Sequence, residues 1–183
     1  MNSNNAGQAM VEAMVALTII VVGILGIFTL TSRSLSLNRV DADRYVAVNL
    51  ANEGIELVKN LLDDNITSDA QPWNYLPGFN SDGNYEIDYN DPGLSSIGGV
   101  GSARYFYFSK DGSGYYRYPE SGEQANTSFQ RVINITTNGR ADHIKAVSTV
   151  YWVSRGSSYS FSVEDHFYDL KSFKAVINAQ LGN

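Results

Sequence analysis

Ala13–Leu30 reads AMVALTIIVVGILGIFTL, a stretch with no charge in which Thr18 and Thr29 are the only polar side chains. At about 1.5 Å per residue, a helix of this length approaches the ~30 Å hydrocarbon thickness of a bilayer. A secretory signal would have a shorter apolar run, a basic start and a small-residue cleavage site behind it. The seven residues MNSNNAG at the front contain no Lys or Arg, and no Ala-x-Ala site follows Leu30. The spacing therefore predicts a retained membrane helix.

One charge sits at the edge of that run. Glu12 directly precedes Ala13, and Gly7 lies five residues before it. An acidic side chain drawn into a membrane costs roughly 2.5–3.5 kcal/mol, so it needs a partner. Cleavage between Gly7 and Gln8 would create an amine about one helical turn from Glu12, on the same chain or on a neighbour offset along the axis. An ion pair formed only in the correct stagger would make Glu12 a register device for assembly. The plain alternative is a carboxylate resting in the head-group layer of a single-pass anchor.

The run Gly7-Gln8-Ala9-Met10-Val11-Glu12, followed by a long apolar helix, resembles the N-terminal signal of type IV prepilins and pseudopilins. The resemblance implies a membrane peptidase that cuts behind Gly7, with the amine of Gln8 as the position to be N-methylated. It also implies Glu12 as the assembly residue. Gln8 stands where the family usually has Phe, and the basic residues Arg33, Arg39 and Arg44 follow the segment instead of preceding it.

Beyond Leu30 the apolar pattern narrows to a stripe. Tyr45, Val48, Ala51, Ile55, Val58 and Leu62 recur at three- and four-residue steps, which predicts one face of a helix. No proline precedes Pro72, so a single helix over about 9–62 is expected. The segment 45–58, with its Glu53-Gly54 pair, resembles the helix of minor pilins. Residues 63–100 hold Pro72, Pro77, Pro92 and many Gly, Asn and Asp, and read as a connecting region. Trp73, Tyr75, Leu76 and Phe79 are expected to tuck onto the domain. Asn80, Asp82, Asn84, Glu86 and Asp88 put oxygen ligands at alternate positions, a pattern that fits calcium or a polar turn entering a strand.

Strand signals dominate from there. Residues 103–109 and 115–118 flank a Gly-rich turn as a hairpin. Residues 129–137, 144–154 and 159–165 make a three-strand meander, with turns at Asn138-Gly139 and 155–158. Phe129-x-Arg131-x-Ile133-x-Ile135 and Val147-x-x-Val150-x-Trp152 resemble the sheet of PilV-type minor pilins and of type II secretion pseudopilins. The expected fold class is α+β: a long N-terminal helix, half of it transmembrane, packed on a C-terminal antiparallel sheet. The expected organisation is a leader (1–7), an assembly half-helix (8–31), an amphipathic half-helix (32–62), a loop region (63–100) and a sheet domain with tail (101–183).

Composition narrows the function. The formal net charge of -6 over 183 residues leaves no broad basic surface for nucleic acid. Without cysteine there is no disulfide, thiolate metal site or Cys nucleophile. His143 and His166 are the only histidines, each beside an Asp at a strand edge, with no nucleophile elbow or metal-spaced pair. The expectation is a non-enzymatic structural subunit, a minor pilin or pseudopilin, with no cofactor. It would sit in the cytoplasmic membrane and then in an extracellular or periplasmic filament. Its implied partners are other pilin subunits, the prepilin peptidase, the pilus or secretion assembly machinery, and membrane lipid before assembly. The alternative is a membrane-anchored extracytoplasmic domain that binds a ligand outside any filament.

Overall fold

A computed structural model describes residues 3–67, 72–75, 78–109, 114–137 and 142–170. The chain divides into two compact units, Met1–Ala42 and Asp43–Asn183. A single helix, α1, runs Ser3–Thr67. It begins inside the segment read as a leader and ends five residues beyond the expected limit at Leu62. No residue between Gly7 and Leu62 is a proline, so nothing interrupts the backbone ladder.

In the first unit no described side chain is buried. The 18-residue window that qualifies α1 as long and apolar enough to cross a membrane is 0% buried. Its hydroxyls are satisfied within the helix. Thr18 Oγ1 donates to the carbonyls of Val15 (2.7 Å) and Met14 (3.1 Å), Thr29 Oγ1 to that of Leu25 (2.8 Å). Thr31 does the same toward Ile27 (2.9 Å). Such back-bonding removes the need for water along this stretch, as a hydrocarbon environment requires.

The second unit is α+β. The last part of α1 packs on a five-stranded antiparallel sheet ordered β2-β1-β5-β6-β7, beside a two-stranded sheet β3-β4. Its strands are β1 (Gly83–Glu86), β2 (Ser95–Ile97), β3 (Tyr107–Phe108), β4 (Tyr116–Arg117), β5 (Gln130–Thr136), β6 (His143–Ser154) and β7 (Ser157–Tyr168). The meander and hairpin stand where the alternation placed them. The turn at Asn138-Gly139 lies outside the described residues. At the other turn Ser154 pairs with Ser157, leaving a two-residue loop of Arg155 (φ 53°) and Gly156 (φ 80°). Two positive φ values in succession match the twist of the flanking strands, and Gly156 takes its share without cost.

Two expectations need correction. Residues 63–100 are more than a connection, because they donate β1 and β2, and β1 pairs with β5 in the middle of the order. The cause is a short alternation hidden among Gly and Asn, in which Tyr85 and Ile87 point into the core. The buried stripe of α1 is also shifted. It consists of Ala47, Leu50, Ala51, Ile55, Val58 and Leu62, whereas Tyr45 is 71% exposed. Of the aromatic cluster expected to tuck in, Trp73 and Phe79 are buried, Tyr75 is exposed and Leu76 lies outside the described residues.

The core falls into two clusters. Ala47, Leu50, Ala51, Phe106, Phe129, Val150 and Trp152 belong to one. Ile55, Val58, Leu62, Ile133, Ile135, Ile144 and Ala146 belong to the other. On α1, β5 and β6 alike, three residues separate the two sets, and one of each three faces the other layer: Gly54, Arg131 and Ser148. These three meet at the crossing of helix and sheet.

Candidate functional site

Gly7, Gln8 and Glu12 all lie on α1 and are all exposed. A Cβ placed on Gly7 would meet nothing within 4 Å. Its φ is not among the positive values, so neither packing nor backbone conformation demands glycine there. A glycine inside a helix costs about 1 kcal/mol relative to alanine. The folded chain offers nothing to offset that cost. Glu12, among the described residues, has no hydrogen-bond or ion-pair partner, and it stands at the head of the uncharged stretch Ala13–Leu30. Both residues of the motif are therefore idle within the single chain.

Gly54 is the opposite case. A Cβ there would collide with Ser148 Oγ and come within 2.9 Å of Arg131 Cδ and of Ile133 Cδ1. The bare backbone at Gly54 lets α1 approach the sheet closely enough for Arg131 to reach the helix. Arg131 is 0% exposed and donates from Nη1 to the carbonyl of Leu50 (2.8 Å) and from Nη2 to that of Ile87 (2.6 Å). One guanidinium thus ties α1 to the chain just past β1. Its charge faces Glu53 at 3.7 Å and the ring of Phe106 at 5.1 Å. Burial raises the Glu53 carboxyl above its ordinary value, Arg131 opposes that shift, and Asp88 reinforces it. Arg131 Nε and Ser148 Oγ have no hydrogen-bond partner, so this polar layer within the core is incompletely satisfied. The strand pattern places position 131 on the inner face, yet no sequence signal marks its arginine as buried.

The alternating oxygen run does not form a calcium site. Asp82 Oδ1 accepts from Thr137 N (2.6 Å) and Thr137 Oγ1 (2.8 Å), and Asn84 Oδ1 accepts from Asn134 Nδ2 (3.1 Å). Glu86 is buried and accepts from Arg104 N and from Arg104 Nε (2.7 Å). Asp88 accepts from Tyr118 N (2.7 Å) and Tyr89 N (2.8 Å), while Asn80 is exposed to solvent. Alternate residues of an extended chain lie about 6.6 Å apart, whereas calcium holds its oxygens at roughly 2.3–2.6 Å. Extension disperses the ligands, and each carboxylate instead fixes a neighbouring segment. Among the described residues no group of three His, Cys, Asp or Glu could hold a metal.

The two histidines are not separate. His143 on β6 and His166 on β7 share a hydrogen bond of 2.8 Å between Nε2 and Nδ1, and His166 Nε2 lies 3.0 Å from Glu164 Oε1. Lys145 Nζ holds the other Glu164 oxygen at 2.8 Å. The chain of contacts is exposed and runs diagonally across the strand pair, where His143 pairs with Tyr168 and Lys145 with His166. Sequence spacing could place each histidine on a strand but not across from the other. Among the described residues no serine or other nucleophile is bonded to either ring.

Comparison of the chain with protein-family models, with curated proteins and with solved structures gave no match.

Proposed function

We propose that the chain is a structural subunit of a type IV pilus-like filament, processed between Gly7 and Gln8 and assembled through the first part of α1. The observation that carries the reading is the pairing of two idle residues at fixed spacing. Among the described residues Gly7 has open space around it and Glu12 has no partner, at the mouth of an apolar stretch of α1 whose side chains are all exposed. A peptidase that accepts only a very small side chain before the cut explains the glycine. A cationic N-terminus on an adjacent subunit explains the carboxylate, because the pair forms only at one axial offset. Lipid covers the helix before assembly and other helices cover it afterwards, so the same apolar surface serves both states.

The experiment follows the mature N-terminus by mass spectrometry in cells carrying the wild type and Gly7→Val. The proposal expects a wild-type chain that begins at Gln8 and a Gly7→Val chain that stays full length in the membrane. An intact Met1 on wild-type protein would sink it and favour an anchored ligand-binding domain. Glu12→Gln sharpens the test. It should be inserted and cleaved normally yet be depleted from sheared filaments, and wild-type amounts there would remove Glu12 from assembly.

A further inference from the structure

Against α1, in the second unit, lies an open cavity of about 620 Å³ that the assembly signal does not use. Four of the chain's twelve tyrosines line it: Tyr45 from the helix, Tyr89 from the segment after β1, and Tyr115 and Tyr116 at β4. Leu50 contributes aliphatic surface, and among the described residues Glu53 is the only charged one in the lining. Tyr89 and Tyr115 stand edge to face, with ring centroids 5.4 Å apart and planes at 84°. Two rings at a right angle form the corner of a box, and π faces present negative potential to what sits inside.

The charges that act on the corner are mainly acidic, with Arg131 opposing them at Glu53. Asp88 acts on Glu53 and on Tyr89, and Asp43 acts on Tyr116, raising their pKa values along with the effect of burial. For Tyr89 the leading cause is its hydrogen bond to Tyr115. The cations close by are committed elsewhere. Arg131 directs Nη1 and Nη2 to the carbonyls of Leu50 and Ile87, and Arg117 directs both terminal nitrogens to Glu123 at 2.6 and 2.8 Å. A cation in the groove would thus meet aromatic faces and share the Glu53 carboxylate with Arg131, whose Nη1 lies 3.7 Å from it.

We propose that this groove binds a quaternary ammonium group, of the trimethylalkylammonium kind that choline carries. A primary ammonium is compact and strongly hydrated, and it keeps three N–H donors to satisfy, so it loses more than it gains on leaving water for aromatic faces. A quaternary ammonium has no donor to satisfy, is weakly hydrated, and offers methyl groups to apolar walls. That combination suits a mainly aromatic lining with a single carboxylate. The site stands whether or not the chain enters a filament.

The test titrates the full chain in maltoside micelles, whose head groups carry no ammonium, with choline, with its neutral isostere 3,3-dimethylbutan-1-ol, and with ethanolamine. Tyrosine fluorescence and the ring-proton signals report occupancy. The expected result is saturable choline binding that is about tenfold tighter than that of either comparison compound. Tyr45→Leu, at an exposed position, should weaken choline several-fold while leaving thermal unfolding unchanged. Glu53→Gln should weaken choline and leave the neutral alcohol unaffected. Equal binding of choline and the alcohol would mean a merely hydrophobic groove and overturn the proposal. Equal binding of ethanolamine would overturn the quaternary preference. No saturation up to about 50 mM, or an unaltered Tyr45→Leu, would remove the site altogether.

Discussion

The two parts of α1 share one secondary structure and differ in everything that surrounds it. From Gly7 to about Asn38 nearly every side chain is exposed, including Met10, Ile19, Val22, Ile27 and Phe28. From Ala47 to Leu62 the exposure alternates, with Ala47, Leu50, Ala51, Ile55, Val58 and Leu62 buried. The first part is apolar all round from Ala13 to Leu30, and no described side chain in it is buried. The second is apolar on one stripe and finds its partner in β5 and β6. Helical form alone therefore says nothing about what holds a helix in place. The angular width of the apolar surface does.

Matched substitutions should separate the two roles, and they carry the largest expected effect. Val58→Asp places an unpaired carboxylate in a fully buried position and should cost roughly 3–5 kcal/mol, enough to unfold the second unit. Ile24→Asp, at a side chain that is 61% exposed, should leave thermal unfolding of that unit unchanged. It should instead impair membrane partition by about 2.5–3.5 kcal/mol. Circular dichroism melts in detergent and fractionation of membranes read the two effects separately. A loss of the domain's melt in the Ile24 variant would break the division.

An intermediate effect is expected where helix and sheet cross. Gly54→Ala inserts a methyl group against Ser148, Arg131 and Ile133, and helix propensity alone would make alanine the better residue by about 1 kcal/mol. Overpacking should outweigh that gain, for a net loss of about 1–2 kcal/mol by thermal or chemical unfolding. Gly7→Ala, with open space, should gain slightly in helix stability by the same measurements. Opposite signs at two glycines of one helix would sharpen the comparison, and equal signs would break it.

The smallest effect concerns acid. Glu123 lies below its ordinary value chiefly through its bond to Arg117, and Glu164 chiefly through its bond to Lys145. Carboxyls lowered on folding stabilise the fold fully above their unfolded value of about 4.3, and that contribution is lost as pH falls through the still lower folded values. Glu53 runs the other way. Raised by burial, it favours the fold below its unfolded value and loses that contribution as pH rises through its folded one. Replacing Glu123 by Gln should flatten the acid limb of stability by less than about 2–4 °C in Tm, since the pair is exposed.

Much of the fold was legible in sequence because it rests on periodicity. Eighteen uncharged residues, a three- and four-residue stripe and three long alternating strands each state their own environment locally. The candidate assembly residues were legible for the same reason, since Gly7 and Glu12 are separated along one helix and need no folding to be juxtaposed. What the sequence could not give is whatever depends on two distant segments meeting. β1 was obscured because its alternation spans only Gly83–Glu86 among turn-forming residues, and pairing with β5 is what makes it a strand. Arg131 looked like one more strand residue until α1 supplied the Leu50 carbonyl and Gly54 the space. His143 and His166 met only through the β6–β7 register, and the tyrosine corner needed three separate segments brought to one place. Local order follows from nearest-neighbour geometry and hydrophobic period. Buried charge, shared protons and cavities follow from closing long loops, whose contacts no local pattern encodes.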